Sequence, residues 1–297
     1  MALNPEHLLT FARVAHLGSL SAAATELNLT QPAVSSQMRL LSQAVGEPLF
    51  VRHRLGVTLT PAGGGLLPHA QALTRVMHGA RTFSQERRDL THGTLRVAAS
   101  MTIAAYVLPP VLAGLHATAP GLALEVRQGN TQEVLALYAS LACDLALVEG
   151  PPEVNDAAAV VEVFGHDELW LVAASGHPLS GQRDPQALNG LGLVWRERGS
   201  GTREVAQRAL TRADLRPVTL LEVAGSEAVK QTVMSGLGAA FLSALSVRRE
   251  VHLGDLIRLP IALDGLRRDL WAVHAGRELL SHAARAFLDR LQAEASG

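Results

Sequence analysis

Apolar residues fall into two textures along the chain. Up to about residue 90 they recur at helical spacing, interrupted once by a short alternating stretch; from Thr94 onward, short apolar runs alternate with helical segments. Leu20, Ala23, Ala24 and Leu27 stand at i, i+3, i+4 and i+7, which predicts a helix over residues 19–28 with one buried stripe. A tight turn at Leu29 follows, then Thr30 as N-cap and Pro32 in a first turn where its missing N–H costs no bond. Val34, Met38, Leu41 and Val45 form the apolar face of the second helix, and Gly46 can end it. That phase leaves Pro32, Ser36, Arg39 and Gln43 on the far side, with Gln31 and Ser35 flanking near the start. Residues 49–52 and 57–59 read as two strands around a turn, a small wing with Arg52 and Arg54 at its edge.

An isolated pair of Ala-rich helices would be a plain hairpin, but the wing that follows makes a winged helix-turn-helix of it. Arg and Gln on a helix are the side chains that read base edges in a major groove, and Ser and wing Arg grip phosphate. Thr60-Pro61 then opens a further helix, in which Leu66, Ala70, Leu73, Met77 and Ala80 step by four, three, four and three. Such a heptad seam needs a partner helix, so a linker over residues 61–90 that pairs two copies is expected. Gly63 to Gly65 and Pro68 predict a kink in its first turns, and residues 86–93 a polar hinge.

Beyond the hinge, strands are expected at 95–99, 122–127, 144–148, 169–173, 193–196, 218–223, 239–242, 256–259 and 269–274, with helices at 103–116, 132–142, 202–213, 226–235 and 279–294. This α/β sandwich pattern is long enough for two similar halves, the last helix folding back on the first half.

The 297 residues suffice for two or three domains. An overall charge of -1 does not suggest a nucleic-acid partner, yet residues 1–90 carry 8 Arg against 5 acidic groups while the rest of the chain is net acidic. No signal-like start and no apolar run of membrane-spanning length occur, so a cytoplasmic protein without a membrane partner is expected. The single Cys143 adjoins an apolar strand and reads as a buried thiol; a redox-responsive switch at Cys143 is the alternative, although such switches use a resolving partner. No metal spacing and no cofactor motif is present among the twelve histidines or elsewhere.

Residues 11–63, with "GSLSAAATELNLTQPAVSSQ", "LFVR" and "GVTLTPAG", resemble the N-terminal domain of LysR-type transcriptional regulators. Ser42 departs from the pattern, where the family usually has Glu after Leu41. The resemblance implies a winged helix-turn-helix over residues 1–60, a dimerisation helix over 61–90 and an effector-binding domain over 91–297. The last would consist of two periplasmic-binding-protein-like α/β subdomains, one of 91–162 plus 268–297 and one of 163–267, with crossovers near 160–165 and 263–269. It also implies double-stranded DNA as partner, contacted by Thr30, Gln31, Pro32, Ser35, Ser36, Arg39, Gln43, Arg52 and Arg54, and a homodimer that pairs into a homotetramer.

In open α/β folds, ligands gather at the C-terminal ends of strands, where helix N-termini present free N–H groups. Four junctions qualify: Ser100 to Thr102, Asn130-Thr131, the run Arg196 to Arg203, and Glu222 to Ser226. In the third, glycines flanking Ser200 permit an anion nest of Ser200, Gly201 and Thr202, with Arg198 or Arg203 supplying charge; Ser226 is a cap and ligand contact. The run "RERGSGTR" resembles LysR-type regulators linked to sulfur or carbon assimilation, which implies a small anion or organic acid as effector. An enzyme is disfavoured: Arg198 and Thr202 stand where a nucleophile elbow around Ser200 requires glycine. A cytoplasmic α/β ligand-binding protein without activity is the remaining alternative.

Overall fold

We describe a computed structural model covering residues 3–54, 56–86, 93–154, 156 and 158–295. Three short helices and a hairpin open the chain: α1 (Pro5–Leu17), α2 (Leu20–Glu26), α3 (Gln31–Val45), β1 (Phe50–His53) and β2 (Gly56–Leu59). Each helix has a side-chain cap, from Asn4, Ser19 and Thr30 respectively, which accepts a free N–H of the first turn. Helix α1 was not anticipated, although Asn4-Pro5 at its start and Gly18 in left-handed conformation at its end mark it. Its Phe11 and Val14 join Ala23, Ala24, Val34, Met38 and Leu41 in one core. Val45 falls outside that core and is exposed, since it sits on the last turn before Gly46, where the packed face has ended.

Helix α4 (Pro61–Glu86) continues unbroken past Pro68. Leu66 and Ala70 of the expected seam pack into the core of the DNA-binding module, Ala70 fully buried, because α1 needs a partner for its apolar face. Among the described residues, Val76 and Met77 are the large apolar side chains of α4 left to solvent, with Ala80 exposed beside them.

The remaining elements are β3 (Gly93–Ser100), a π-helical turn (Ile103–Val107), α5 (Leu108–Thr118), β4 (Leu122–Gly129), α6 (Thr131–Ala139), β5 (Leu145–Glu149), β6 (Val160–Ala174), β7 (Gly192–Arg196), α7 (Gly201–Arg212), β8 (Val218–Val223), α8 (Ser226–Met234), β9 (Ala239–Ser243), α9 (Ala244–Leu253), β10 (Leu256–Arg258), β11 (Arg267–His274) and α10 (His282–Ala295), with single 3-10 turns at Pro185–Leu188 and Arg277–Leu279. The strands follow the order β4-β3-β5-β11-β6-β9-β7-β8, with β10 beside β6. One end of this array, with α5, α6 and α10, builds subdomain I around two cores; the other, with α7, α8 and α9, builds subdomain II.

Four elements differ from expectation, one of them α9, which the pattern had not supplied. The helix expected at 103–116 opens as a π turn, because Pro109 and Pro110 lack the N–H groups an uninterrupted α ladder would use. The final helix is preceded by a 3-10 turn and begins at His282. The crossovers are not loops. Strand β6 runs unbroken through both subdomains, pairing with β11 from Val160 to Glu168 and with β9 from Leu169 to Ala173. Its polar stretch His166-Asp167-Glu168 hides the alternation, while continuous pairing satisfies the backbone.

Candidate functional site

At the amino-terminal end, Ser19 Oγ accepts from Ala22 N and Thr30 Oγ1 from Ala33 N, so α2 and α3 both start sharply, and Asn28 takes a left-handed φ of 55° in the turn between them. Gln31, Pro32, Arg39 and Gln43 are exposed along α3, while Ser35 and Ser36 are half-buried. These residues and Arg52 line an open groove of about 980 Å³ between α3 and the hairpin. Arg52 Nη2 donates to Ser35 Oγ at 2.7 Å, which fixes the wing strand against the recognition helix. Arg54 is exposed in the hairpin turn, outside the groove; Thr30 serves α3 as its cap. The groove thus presents guanidinium, amide and hydroxyl groups to one side.

The second site lies where the subdomains meet. Subdomain I contributes the ends of β3, β4 and β5: Ser100, Met101 and Thr102, then Asn130 and Thr131, then Glu149. Asn130 forms a capping box with Glu133, each accepting the other's backbone N–H at 2.9 Å. Subdomain II contributes Arg196 to Thr202 and Ser226. The two faces touch: Gln132 N donates to Gly199 O at 3.3 Å, and Arg196 Nη2 lies 3.6 Å from Met101 Sδ. A Cβ on Gly201 would stand 2.5 Å from Glu149 O and 2.8 Å from Thr131 Oγ1, so only glycine permits this approach.

Ser100 Oγ and Thr131 Oγ1 are buried here without a hydrogen-bond partner among the described residues. Two buried guanidinium groups flank them. Arg196 is bidentate to Glu197 (2.6 and 2.8 Å) and donates from Nη1 to Ser226 Oγ. Arg268 donates to both Asp167 Oδ2, at 2.6 and 2.9 Å, and Thr202 Oγ1, at 2.9 Å, with the Glu149 carboxylate 3.8 Å away. Burial pushes the Glu197 carboxyl up, but the hydrogen bonds and charge of Arg196 outweigh it and hold Glu197 below the ordinary carboxylate range.

Of the residues singled out from the sequence, Ser100, Thr102, Asn130, Thr131, Ser200, Gly201, Thr202 and Ser226 lie along this boundary. Ser200 caps α7 at Arg203 N, whereas Ser226, expected as a cap, is the first residue of α8: Gly225 holds the cap position and the Ser226 hydroxyl is taken by Arg196. The two cations chosen from the sequence sit elsewhere. Arg203 is held by Glu222 at 2.6 Å and by the Arg196 carbonyl at 2.8 Å, over the Trp195 ring, and Arg198 is exposed on the outer rim. Sequence reasoning passed over Arg196, which ends its strand inside the quoted run. It also passed over Arg268, whose signal is a charge in register with buried Leu270 and Ala272 on β11.

Cys143 is buried, and its thiol is pushed up to about 12, first by burial and then by the charge of Asp144. The chain holds no second cysteine. A protonated, enclosed thiol is a poor nucleophile, which argues against the redox alternative.

Two family matches divide the chain as the architecture does. Residues 5–64 match the bacterial regulatory helix-turn-helix protein, lysR family, and residues 88–296 match the LysR substrate binding domain. The chain belongs to the LysR family of transcriptional regulators. The HTH-type transcriptional regulator CfxR of Cupriavidus necator is 35% identical over 301 residues, spanning 100% of this chain and 94% of that protein. The Synechocystis CcmR regulatory domain, solved in complex with 2-PG, is 28% identical and covers 68% of this chain and 97% of its own, with a TM-score of 0.62. ArgP from Mycobacterium tuberculosis shares the full-length fold at a TM-score of 0.74, with 24% identity over 100% of this chain and 98% of that one. This LysR-type chain is therefore a ligand-responsive, DNA-binding regulator with a winged helix-turn-helix and a two-subdomain effector domain. No helix among the described residues is long and apolar enough to cross a membrane.

Proposed function

We propose that the effector of this regulator is a small organic anion held between the subdomains, contacted by Ser100, Thr102, Asn130, Thr131, Ser200, Thr202, Ser226 and Arg196. The observation that carries this reading is the pair of buried hydroxyls, Ser100 Oγ and Thr131 Oγ1, left without partners where α6, α7 and α8 start. The positive ends of these helices lie beside the two hydroxyls, which suits an anion. Glu197 already neutralises Arg196, so the site favours an anion through oriented donors more than through net charge. The ligand in the CcmR relative supports the same class.

On DNA, Gln31, Pro32, Ser35, Ser36, Arg39 and Gln43 face the major groove, Thr30 fixes the helix start, and Arg52 and Arg54 lie along phosphate. Two copies pair through the solvent-facing side of α4 and two such dimers form a tetramer in the cytoplasm; the chain itself catalyses no reaction.

Two experiments test this. Addition of 2-PG should raise the thermal midpoint of the wild-type protein, and Thr131→Ala and Ser200→Ala should each abolish the rise; a rise of undiminished size in both variants overturns the cleft assignment. Arg39→Ala combined with Ser36→Ala should remove preference for the chain's own promoter, and unaltered affinity would sink the recognition-helix assignment.

A further inference from the structure

The second half of α4 lies on subdomain I. Arg75 projects from it into a dry seat, its side chain only 5% exposed, where it pairs with the Asp156 carboxylate, itself 7% exposed. The guanidinium also stacks over the Tyr138 ring at 5.0 Å. Burial, partly opposed by the charge of Arg75, pushes the Tyr138 hydroxyl up to about 12, so the ring stays neutral and Asp156 is the counter-charge in the seat. One turn before, Gln71 Nε2 donates to Ala139 O at 3.4 Å. One turn beyond, Gly79 lies against the Arg277–Leu279 turn so closely that a Cβ would stand 2.8 Å from Leu279 O.

The residues that hold α4 share a topological property. Asp156 sits in the connection that enters β6, and Leu279 follows directly on β11. Strands β6 and β11 are the two that pass from one subdomain to the other. Each of them is thus joined, at its subdomain I end, by a short connection to a residue that meets the linker helix. At its other end the same connection begins beside Glu149, the β5 residue that meets Gly201 and approaches Arg268.

We propose that Arg75, seated between Asp156 and Tyr138, is a positioning residue that transmits the angle between the subdomains to the linker helix and so to the DNA module. The seat pairs one charge with a planar group stacked on a ring: Lys would keep the charge but lose the stacking. That the effector sets the angle rests on the cleft reading above; the transmission itself does not, because the angle can be changed by a wedge in place of a ligand.

Gly201→Ala is that wedge, since its Cβ must push the boundary open. In full-length protein without ligand, it should change affinity for the chain's own promoter DNA by about tenfold, while in an Arg75→Met background the same substitution should change it less than about threefold. Amide exchange of the α4 segment around Arg75 should quicken by about tenfold in Gly201→Ala, in Arg75→Met and in Asp156→Asn, with the β3 amides unmoved. Should Arg75→Met fail to fold, Arg75→Lys and Asp156→Asn serve in its place in the same cycle. Additive effects of the wedge and the seat variants on DNA affinity overturn the proposal, as does unchanged α4 exchange in Gly201→Ala. Neither readout contains 2-PG, so a failed ligand shift with an intact cycle sinks the cleft reading alone, and an additive cycle with an intact ligand shift sinks the latch alone.

Discussion

Arg268 illustrates how much one buried cation can organise. It grips Asp167 with two nitrogens and Thr202 with a third, and Asp167 also accepts from Ser243 Oγ at 2.9 Å, so residues of both crossing strands, α7 and β9 meet at one charge pair. Removing one member leaves an uncompensated charge in a water-poor site. Asp167→Asn is expected to cost about 3–5 kcal/mol, read as a lower urea midpoint at unchanged slope. Cys143 makes the opposite kind of statement. With its pKa raised from 9.0 to about 12, the folded thiol keeps its proton where the unfolded one has begun to lose it. This contribution to stability is complete below pH 9.0 and declines as pH rises toward about 12. Alkylation of the native protein at pH 8 should therefore run at least about a hundredfold slower than in denaturant; equal rates would show an accessible thiolate.

Among the elements, helix starts were the most legible. Thr30 before Gln31-Pro32 announces a cap because hydroxyl and proline act locally, within one turn, whereas Ser19, read as the first helical residue, is the cap of α2. Thr30→Ala should accordingly lower stability by about 1 kcal/mol and loosen the start of α3, measured by thermal unfolding and by amide exchange of Ala33. Strand β6 was legible only over 169–173; its first part was hidden for the converse reason, because what makes it one strand is pairing with β11 and β9, partners distant in sequence, while its own Gly165 and charged triplet suggest a break. The cleft divides along the same line. Ser100, Thr131 and Ser200 could be picked out because they close a strand or open a helix, a local signature. The cations could not be ranked from sequence, because Arg203 is claimed by Glu222 from a neighbouring strand and Arg196 and Arg268 gain their seats only through tertiary packing. Of the seam expected on α4, Leu66 and Ala70 serve α1, an element the pattern had not supplied.

At the scale of the whole molecule, the division of labour is electrostatic as well as structural. Arg39, Arg52 and Arg54 project from a module whose surroundings are slightly basic, whereas the effector domain is net acidic. Replacing Arg54 by Ala should weaken operator and random DNA alike and lower the salt slope of binding by about one. On α4, Val76 and Met77 are 46% and 36% exposed, and a charge there would oppose the proposed pairing of two copies. Met77→Glu is expected to halve the mass seen by sedimentation and to reduce operator affinity by about a hundredfold or more, since one module alone forfeits half its contacts; an unchanged mass would place the dimer contact elsewhere.

The two strands that join the subdomains form a continuous ribbon, irregular only where Leu270 faces Gly165 and Trp271 faces Val163, leaving Phe164 as the extra residue. A pivot of this construction behaves as a torsion spring and not as a swivel. Twisting it strains paired backbone along its length, which gives the join between the subdomains a preferred posture.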